Sequence, residues 1–113
     1  MNIQIFGKNK CFDTKKAERW FKERRIKFQR IDILRYGISL GEYTSVKKAV
    51  GGMDKLIDTG CRQYEELFIP YLAHEKDIEE KLMANPELFK TPIVRNGKFA
   101  TVGYCPEIWG KWE

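Results

Sequence analysis

The sequence predicts an α/β domain with a small mixed sheet, in which a βαβ unit at the start is joined to a β-hairpin near the end. Strand-like runs lie at residues 2–6 and 27–33, and apolar residues at helical spacing fill the interval between them. Asn96-Gly97 separates two further short runs, as is typical of a two-residue hairpin. We therefore expect helices on both faces of the sheet, with an inserted helical segment between the second and third strands.

The size and composition indicate one globular domain, which we place over residues 1–113. Hydrophobic residues make up 42% and charged residues 33% of the chain. No signal segment precedes the first strand, and no apolar run approaches the ~18 to 20 residues that span a bilayer, so we expect a cytoplasmic protein with no membrane partner. The net charge is +5, but basic and acidic residues are interleaved, so direct nucleic-acid binding is not expected.

The first helix and the helix after the second strand have the clearest local signals. Ala17, Trp20 and Phe21 follow helical spacing in a helix that begins at Phe12 and ends near residue 25. Ser39 and Glu42 match a capping box, and Gly51-Gly52 provides a stop, so a helix is predicted over residues 40–50.

The remaining elements follow from weaker signals. A short helical piece is predicted at residues 53–57, an irregular stretch at 58–62, and a polar helix at 74–84. Thr91-Pro92 breaks the chain before a strand at 93–95, and residues 99–102 return as its partner. Pro106 begins a short terminal helix, because proline is favoured in the first turn.

Cys11 is the strongest candidate for a functional residue. It lies at the start of the first helix, where unpaired backbone amides and the helix dipole favour the thiolate and make sulfur nucleophilic. Lys8, Lys10 and Lys15 are expected to favour the thiolate as well, whereas Asp13 opposes it. The alternative is a small apolar cysteine that only packs.

The three cysteines, Cys11, Cys61 and Cys105, are widely spaced. An odd number at this spacing does not match a secreted disulfide framework, and close pairs typical of a zinc site are missing from the sequence. We expect reduced thiols, no metal site and no bound cofactor.

The order of elements, with a cysteine at the first helix and Thr-Pro before the hairpin, resembles the thioredoxin fold. More closely, it resembles the glutaredoxin-like arsenate reductase family, which includes the Spx-type transcriptional regulators. The resemblance covers essentially the whole chain. Its markers are CFDTKKA at residues 11–17, LIDT through YEEL at residues 56–67, and NPELFKTPIV at residues 85–94.

By this resemblance, Cys11 is the nucleophile and Pro92 is the cis-proline that lies against it. A cis X-Pro bond turns the preceding backbone towards an extended substrate, such as glutathione or a protein segment. Glutathione or another low-molecular-weight thiol would be the cosubstrate. The substrate-binding residues that we expect are Lys8, Lys10, Thr14, Lys15, Arg62, Thr91 and Pro92.

The chain departs from the family at the oxyanion site. Arsenate reductases of the family hold the oxyanion with arginines, one of them directly before the cis-proline, where this chain has Thr91 preceded by Lys90. Arg62 and Arg95 are candidate substitutes, although Arg95, on a hairpin strand, is expected to face solvent. Without paired guanidinium groups, arsenate is a doubtful substrate.

The second departure concerns the resolving thiol. Position 14 is Thr, so a disulfide between positions 11 and 14 is excluded. The resemblance places Cys105 where the family has an active-site residue, and we predict that it resolves Cys11. Cys61, in the middle loop of the family's active site, is the second candidate, and the alternative is that both are unreactive.

Two functions are consistent with these residues. The first is a thiol-dependent oxidoreductase, in which the Cys11 thiolate attacks an oxidised sulfur or an oxyanion centre. The second is a non-catalytic Spx-like regulator that binds RNA polymerase, with Cys11 as a redox sensor.

Overall fold

The four strands form one mixed sheet, and helices cover both of its faces. The computed structural model describes residues 1–112. The strands are β1 (Ile3–Gly7), β2 (Phe28–Asp32), β3 (Ile93–Asn96) and β4 (Phe99–Val102). The α-helices are α1 (Phe12–Glu23), α2 (Ile33–Tyr36), α3 (Leu40–Val50), α4 (Arg62–Glu66), α5 (Glu75–Ala84) and α6 (Pro106–Gly110). Three 3₁₀ helices cover Met53–Leu56, Ile69–Tyr71 and Pro86–Leu88.

The strand order is β2-β1-β3-β4, with β1 parallel to β2 and antiparallel to β3. Phe6 pairs with Ile93 at the end of the β1–β3 ladder. The chain that leaves β1 therefore runs beside the chain that enters β3. This register brings residues 8–11 next to residues 89–92, which are distant in sequence.

The predicted hairpin is confirmed. Asn96 pairs with Phe99, and the two loop residues between them include Gly97, whose φ is 60°. A positive φ favours glycine, which explains why Asn-Gly is such a clear signal here.

Each face of the sheet has its own hydrophobic core. On one face, α1 and α6 pack against β1 and β3, and the buried residues there are Ile3, Ile5, Ala17, Trp20, Phe21, Val94 and Trp109. The other face is covered by α3, α5 and the inserted segment, and its largest buried side chains are Phe6, Ile33, Leu56, Leu82, Leu88, Phe89 and Ile93. The sequence prediction of helices on both faces is confirmed.

The second strand ends one residue earlier than predicted, because Asp32 begins a helix. Its carboxylate accepts a hydrogen bond from the amide of Leu34 at 3.1 Å, which caps the short helix α2. Ile33, predicted as the last strand residue, instead lies fully buried in the first turn of α2. Gly37, with φ 65°, ends this helix.

Helix α3 matches its prediction. The Ser39 hydroxyl accepts from the Glu42 amide at 3.2 Å, and the Glu42 carboxylate accepts from the Ser39 amide at 3.0 Å. Gly51 ends the helix in the left-handed conformation. Among residues 1–112, no helix combines the length and the apolar character needed to cross a membrane.

A polar cluster holds α3 to α5. The Tyr43 hydroxyl donates to a carboxylate oxygen of Glu79 at 2.6 Å, and the ammonium of Lys47 contacts the same oxygen at 2.8 Å. The hydrogen bond from Lys47, followed by that from Tyr43, lowers the pKa of Glu79. Burial, together with the adjacent Glu79 carboxylate, raises the pKa of Tyr43.

We expect Glu79→Gln to destabilise the protein by about 0.5–1 kcal/mol near neutral pH, because the partly exposed cluster loses its charge. The pKa of Glu79 is lower in the folded state than in the unfolded state. The stabilisation is therefore complete above the pKa of the unfolded state and is lost as the pH falls through the pKa of the folded state. Urea unfolding at a series of pH values measures the free energy of unfolding. The control is Glu80→Gln on the exposed side of the same helix, and equal effects of the two substitutions would contradict the prediction.

Candidate active site

Cys11 is the N-cap residue of α1, with its side chain half-buried at the start of the helix. Its amide donates to the carbonyl of Lys8 at 3.0 Å, which closes the turn between β1 and α1. Its thiol lies 3.6 Å from the carbonyl oxygen of Thr91 and donates to it. The β1–β3 register thus places the sulfur against the segment that enters β3.

Hydrogen bonds lower the pKa of the Cys11 thiol below its ordinary value. Burial raises this pKa, but it is outweighed by hydrogen bonds to the sulfur from the side chains of Thr14 and Thr91 and from the backbone amides of Thr14 and Asp13. Lys8, Lys10 and Lys15, which were expected to favour the thiolate, are not among the principal causes of this shift.

Thr14 is buried and close to Cys11. Its side chain is fully inaccessible, and its hydroxyl has no hydrogen-bond partner among the described residues. This hydroxyl is therefore available to donate to the Cys11 thiolate, which lowers the pKa of Cys11. Gly7 allows this placement: a Cβ at position 7 would overlap the Thr14 methyl group and lie 2.8 Å from its hydroxyl oxygen.

We expect Thr14→Val, which keeps the shape of the side chain, to raise the pKa of Cys11, because the thiolate loses a donor. The pH at which iodoacetamide alkylation of Cys11 becomes fast would move upwards, and the rate near neutral pH would fall. Mass spectrometry of the alkylated peptide measures this rate. Thr44→Val on the exposed face of α3 is the control, and an unchanged profile in Thr14→Val would contradict the role of the hydroxyl.

We expect Gly7→Ala to destabilise the protein by about 1–3 kcal/mol, because the new methyl group overlaps Thr14. It should also slow alkylation of Cys11, since Thr14 must move. Gly41→Ala is the control, because this helical glycine has open space around it and should tolerate alanine. Thermal unfolding of both variants measures the difference, and similar midpoints would count against the overlap.

The peptide bond between Thr91 and Pro92 is cis, as predicted. The ammonium of Lys8 donates to the carbonyls of Glu87 at 3.0 Å and Phe89 at 2.8 Å, in the segment that leads to this bond. Lys8, expected to bind substrate, therefore ties the Cys11 loop to residues 87–89.

Arg30 on β2, which the sequence did not indicate, contacts the loop before Cys11. Its guanidinium donates to the carbonyl of Gly7 at 3.4 Å and to the side-chain oxygen of Asn9 at 3.1 Å, both just before Cys11. It also lies 3.7 Å from the carboxylate of Glu18 on α1. No local signal marks Arg30, because its partners come from other elements.

Cys11 opens into a groove of about 1220 Å³ that also contains Thr91, Cys105 and the exposed lysines Lys10, Lys55 and Lys90. Within residues 1–112, these three lysines form no salt bridge. Asp13, Asp32 and Asp58 also line the groove.

Cys105 lines the same groove as Cys11, at the start of α6. Its thiol donates to the carbonyl of Val102 at 3.3 Å. Burial raises the pKa of Cys105, the negative charges of Glu107 and Asp13 add to this rise, and a hydrogen bond to Thr101 opposes it. The two thiols in the groove therefore differ: the pKa of Cys11 is lowered and the pKa of Cys105 is raised.

Other predicted site residues lie away from the groove. Cys61 caps α4 in the inserted segment and packs against the core on the α3 face. Arg62, whose side chain is 78% exposed, pairs with Glu66 at 3.2 Å. The Lys15 ammonium lies 5.9 Å from the ring centre of Phe12, outside the residues that line the groove.

Arg95 was expected to face solvent, but it is partly buried. Its guanidinium donates to the side-chain oxygen of Gln4 at 2.8 Å in a partly buried contact across the β1–β3 pair. No arginine of residues 1–112 lines the groove. The described residues therefore provide no set of guanidinium groups that could bind an oxyanion in this groove.

Among the described residues, no cluster of three or more histidine, cysteine or carboxylate side chains could hold a metal ion.

The sheet order, the cysteine at the start of α1 and the cis-proline beside it define a thioredoxin-like protein, in which a thiol of lowered pKa lies in an open groove. The chain belongs to the ArsC family, whose model matches residues 6–112. This confirms the resemblance stated from the sequence.

Similar proteins include both regulators and reductases. The chain is 32% identical over 107 residues to the global transcriptional regulator Spx 2 of Oceanobacillus iheyensis, a match that covers 92% of this chain and 78% of the relative. An ArsC family related protein from Bacteroides fragilis has a TM-score of 0.85 and 25% identity, with coverage of 100% and 98%. An arsenate reductase from Vibrio cholerae has a TM-score of 0.87 and 20% identity, with coverage of 98% and 97%, and shows the same fold.

Proposed function

We propose that this protein is a thiol-dependent oxidoreductase of the ArsC family, with Cys11 as the nucleophile. The observation that carries the proposal is the lowered pKa of a thiol that faces an open groove. A nucleophilic thiol needs both the thiolate form and access to a substrate. Glutathione or another low-molecular-weight thiol is the cosubstrate, and no bound cofactor is required.

The reaction is a pair of thiol–disulfide exchanges. The Cys11 thiolate attacks one sulfur of a disulfide substrate, a new sulfur–sulfur bond forms, and the other substrate sulfur leaves as a thiolate that takes a proton from solvent. A glutathione thiolate then attacks the mixed disulfide and releases Cys11. When the half of the substrate that is transferred to Cys11 is a glutathionyl group, the products are the free substrate thiol and glutathione disulfide. The net reaction consumes one glutathione thiol and one mixed disulfide and yields one substrate thiol and one glutathione disulfide.

The residues around the sulfur suit this chemistry. The donors from Thr14, Thr91 and the first turn of α1 stabilise the thiolate before attack and again when Cys11 is the leaving group. Glutathione is the resolving thiol in this scheme, because the raised pKa of Cys105 makes it a poor attacking group at neutral pH. Internal resolution by Cys105 is the competing route, and the shared groove supports it.

A disulfide suits the groove better than arsenate does. Arsenate carries several negative charges, and strong recognition of such an oxyanion uses paired guanidinium groups. The charged residues that line this groove are lysines and aspartates. A disulfide sulfur is uncharged and needs no such clamp.

We expect turnover with glutathione and a mixed-disulfide peptide substrate, followed by coupled oxidation of NADPH through glutathione reductase. Cys11→Ser should abolish this turnover, because the nucleophile is removed. Cys105→Ser should retain it if glutathione resolves the intermediate, and Cys61→Ser should retain it because Cys61 lies outside the groove. Turnover by Cys11→Ser equal to wild type would overturn the proposal, and loss in Cys105→Ser would assign resolution to Cys105.

The second candidate is a non-catalytic Spx-like regulator that binds RNA polymerase, in which Cys11 senses oxidation. The 32% identity to a global transcriptional regulator favours it, as does the missing arginine clamp. Co-purification with RNA polymerase and no turnover, while Cys11 still reacts with peroxide, would support this function instead.

A further inference from the structure

The strand β4 forms a free edge of the sheet. The two-residue hairpin pairs Asn96 with Phe99, and the amide of Gly103 donates to the carbonyl of Pro92 at 2.9 Å, so these residues direct their backbone groups towards β3. In an antiparallel strand, successive residues direct their backbone amide and carbonyl groups towards opposite neighbours. Ala100 and Val102 therefore direct their amides away from the sheet, where the described residues provide no neighbouring strand.

The free edge of β4 lies at the bottom of a channel between two helices. A cavity of about 700 Å³ lies along residues 98–101, with Ala49 of α3 on one side and Ile108 of α6 and Trp112 on the other. The two helices stand on opposite faces of the sheet, since α3 packs on the face of Phe6 and α6 on that of Val94. A channel flanked in this way exposes the strand's edge rather than its face.

This channel is continuous with the groove that contains Cys11. Ala49, Ala100, Thr101 and Ile108 line both cavities. The Cys11 groove is lined by the four consecutive residues 100–103. A groove that contacted only one face of the strand would be lined by every second residue, so consecutive residues indicate that the groove runs along the edge of the strand.

We propose that the β4 edge binds an extended, acidic segment of a partner protein, which adds to the sheet as a fifth strand and leads towards Cys11. Hydrogen bonds to the outward groups of Ala100 and Val102 would supply the pairing. Side chains on alternate sides of the added strand would contact Ala49 on α3 and Ile108 on α6.

The positive charge of the channel favours an acidic segment as its occupant. Lys48 and Lys98 line the channel, and no acidic residue of those described does so. Neither lysine forms a salt bridge within residues 1–112. A second copy of this chain is disfavoured, because its net charge of +5 would oppose association. Two exposed apolar side chains at the channel, Phe99 at 52% and Ile108 at 46%, provide contact area for a polypeptide.

The test uses a cysteine-free probe, so binding and Cys11 chemistry are measured separately. The probe is an acetylated heptapeptide of alternating valine and threonine with a glutamate at each end, and its matched control carries lysine at each end. We expect amide chemical-shift changes centred on Ala100 and Val102, saturable binding of the acidic peptide that weakens with salt, and at least about tenfold weaker binding of the basic peptide.

Ala100→Pro removes the outward amide, at an edge position where proline is compatible with the fold. We expect it to weaken binding of the acidic peptide at least about tenfold. Lys98→Glu should weaken the same binding without altering the backbone edge, and Lys22→Glu on α1 is the charge control. Unfolding midpoints establish that each variant is folded.

Equal binding of the two peptides, unchanged binding by a folded Ala100→Pro or by Lys98→Glu, or shift changes on another surface would overturn the inference. Concentration-dependent dimerisation that Ala100→Pro abolishes would also overturn it, because the edge would then bind a second copy. Loss of turnover with intact peptide binding would contradict the proposed oxidoreductase function alone.

Discussion

The antiparallel pairing of β1 with β3 is the constraint on which the site depends. Because Phe6 pairs with Ile93, the loop that carries Cys11 and the segment that carries Thr91 must lie side by side. The ammonium of Lys8 then fixes the distance between them through two carbonyls of residues 87–89. The sulfur receives donors from both α1 and the β3 entry only because these two segments meet. A shift of this ladder would separate Cys11 from Thr91 while leaving each segment intact.

Much of the fold could be predicted, because its strongest signals are local. The capping box of Ser39 and Glu42 and the Asn96-Gly97 turn each act over a few residues, and the structure confirms both. The short helix after β2 was missed, since four residues give too little periodicity to distinguish a helical turn from the end of a strand. Its signal was Asp32, which could be interpreted as an N-cap.

The site was predicted less completely. The sequence predicted the position of Cys11 at the start of α1 and the cis Thr91-Pro92 bond, because the helix start and the family resemblance mark them directly. The cause of the lowered pKa was not predictable, since charge along the sequence suggested the lysines, whereas the donors are Thr14, Thr91 and backbone amides. Arg95 was misplaced because strand alternation gives no information about its partner Gln4, which comes from a neighbouring strand.

Cys11 and Cys105 share one groove, but hydrogen bonds to the sulfur lower the pKa of Cys11, whereas burial raises the pKa of Cys105. The most direct test is to titrate each thiol by thiolate absorbance in variants that retain only Cys11 or only Cys105. We expect the Cys11 pKa to lie below the ordinary cysteine value and the Cys105 pKa above it. Equal pKa values, or a higher value for Cys11, would contradict the central claim that the start of α1 activates its sulfur.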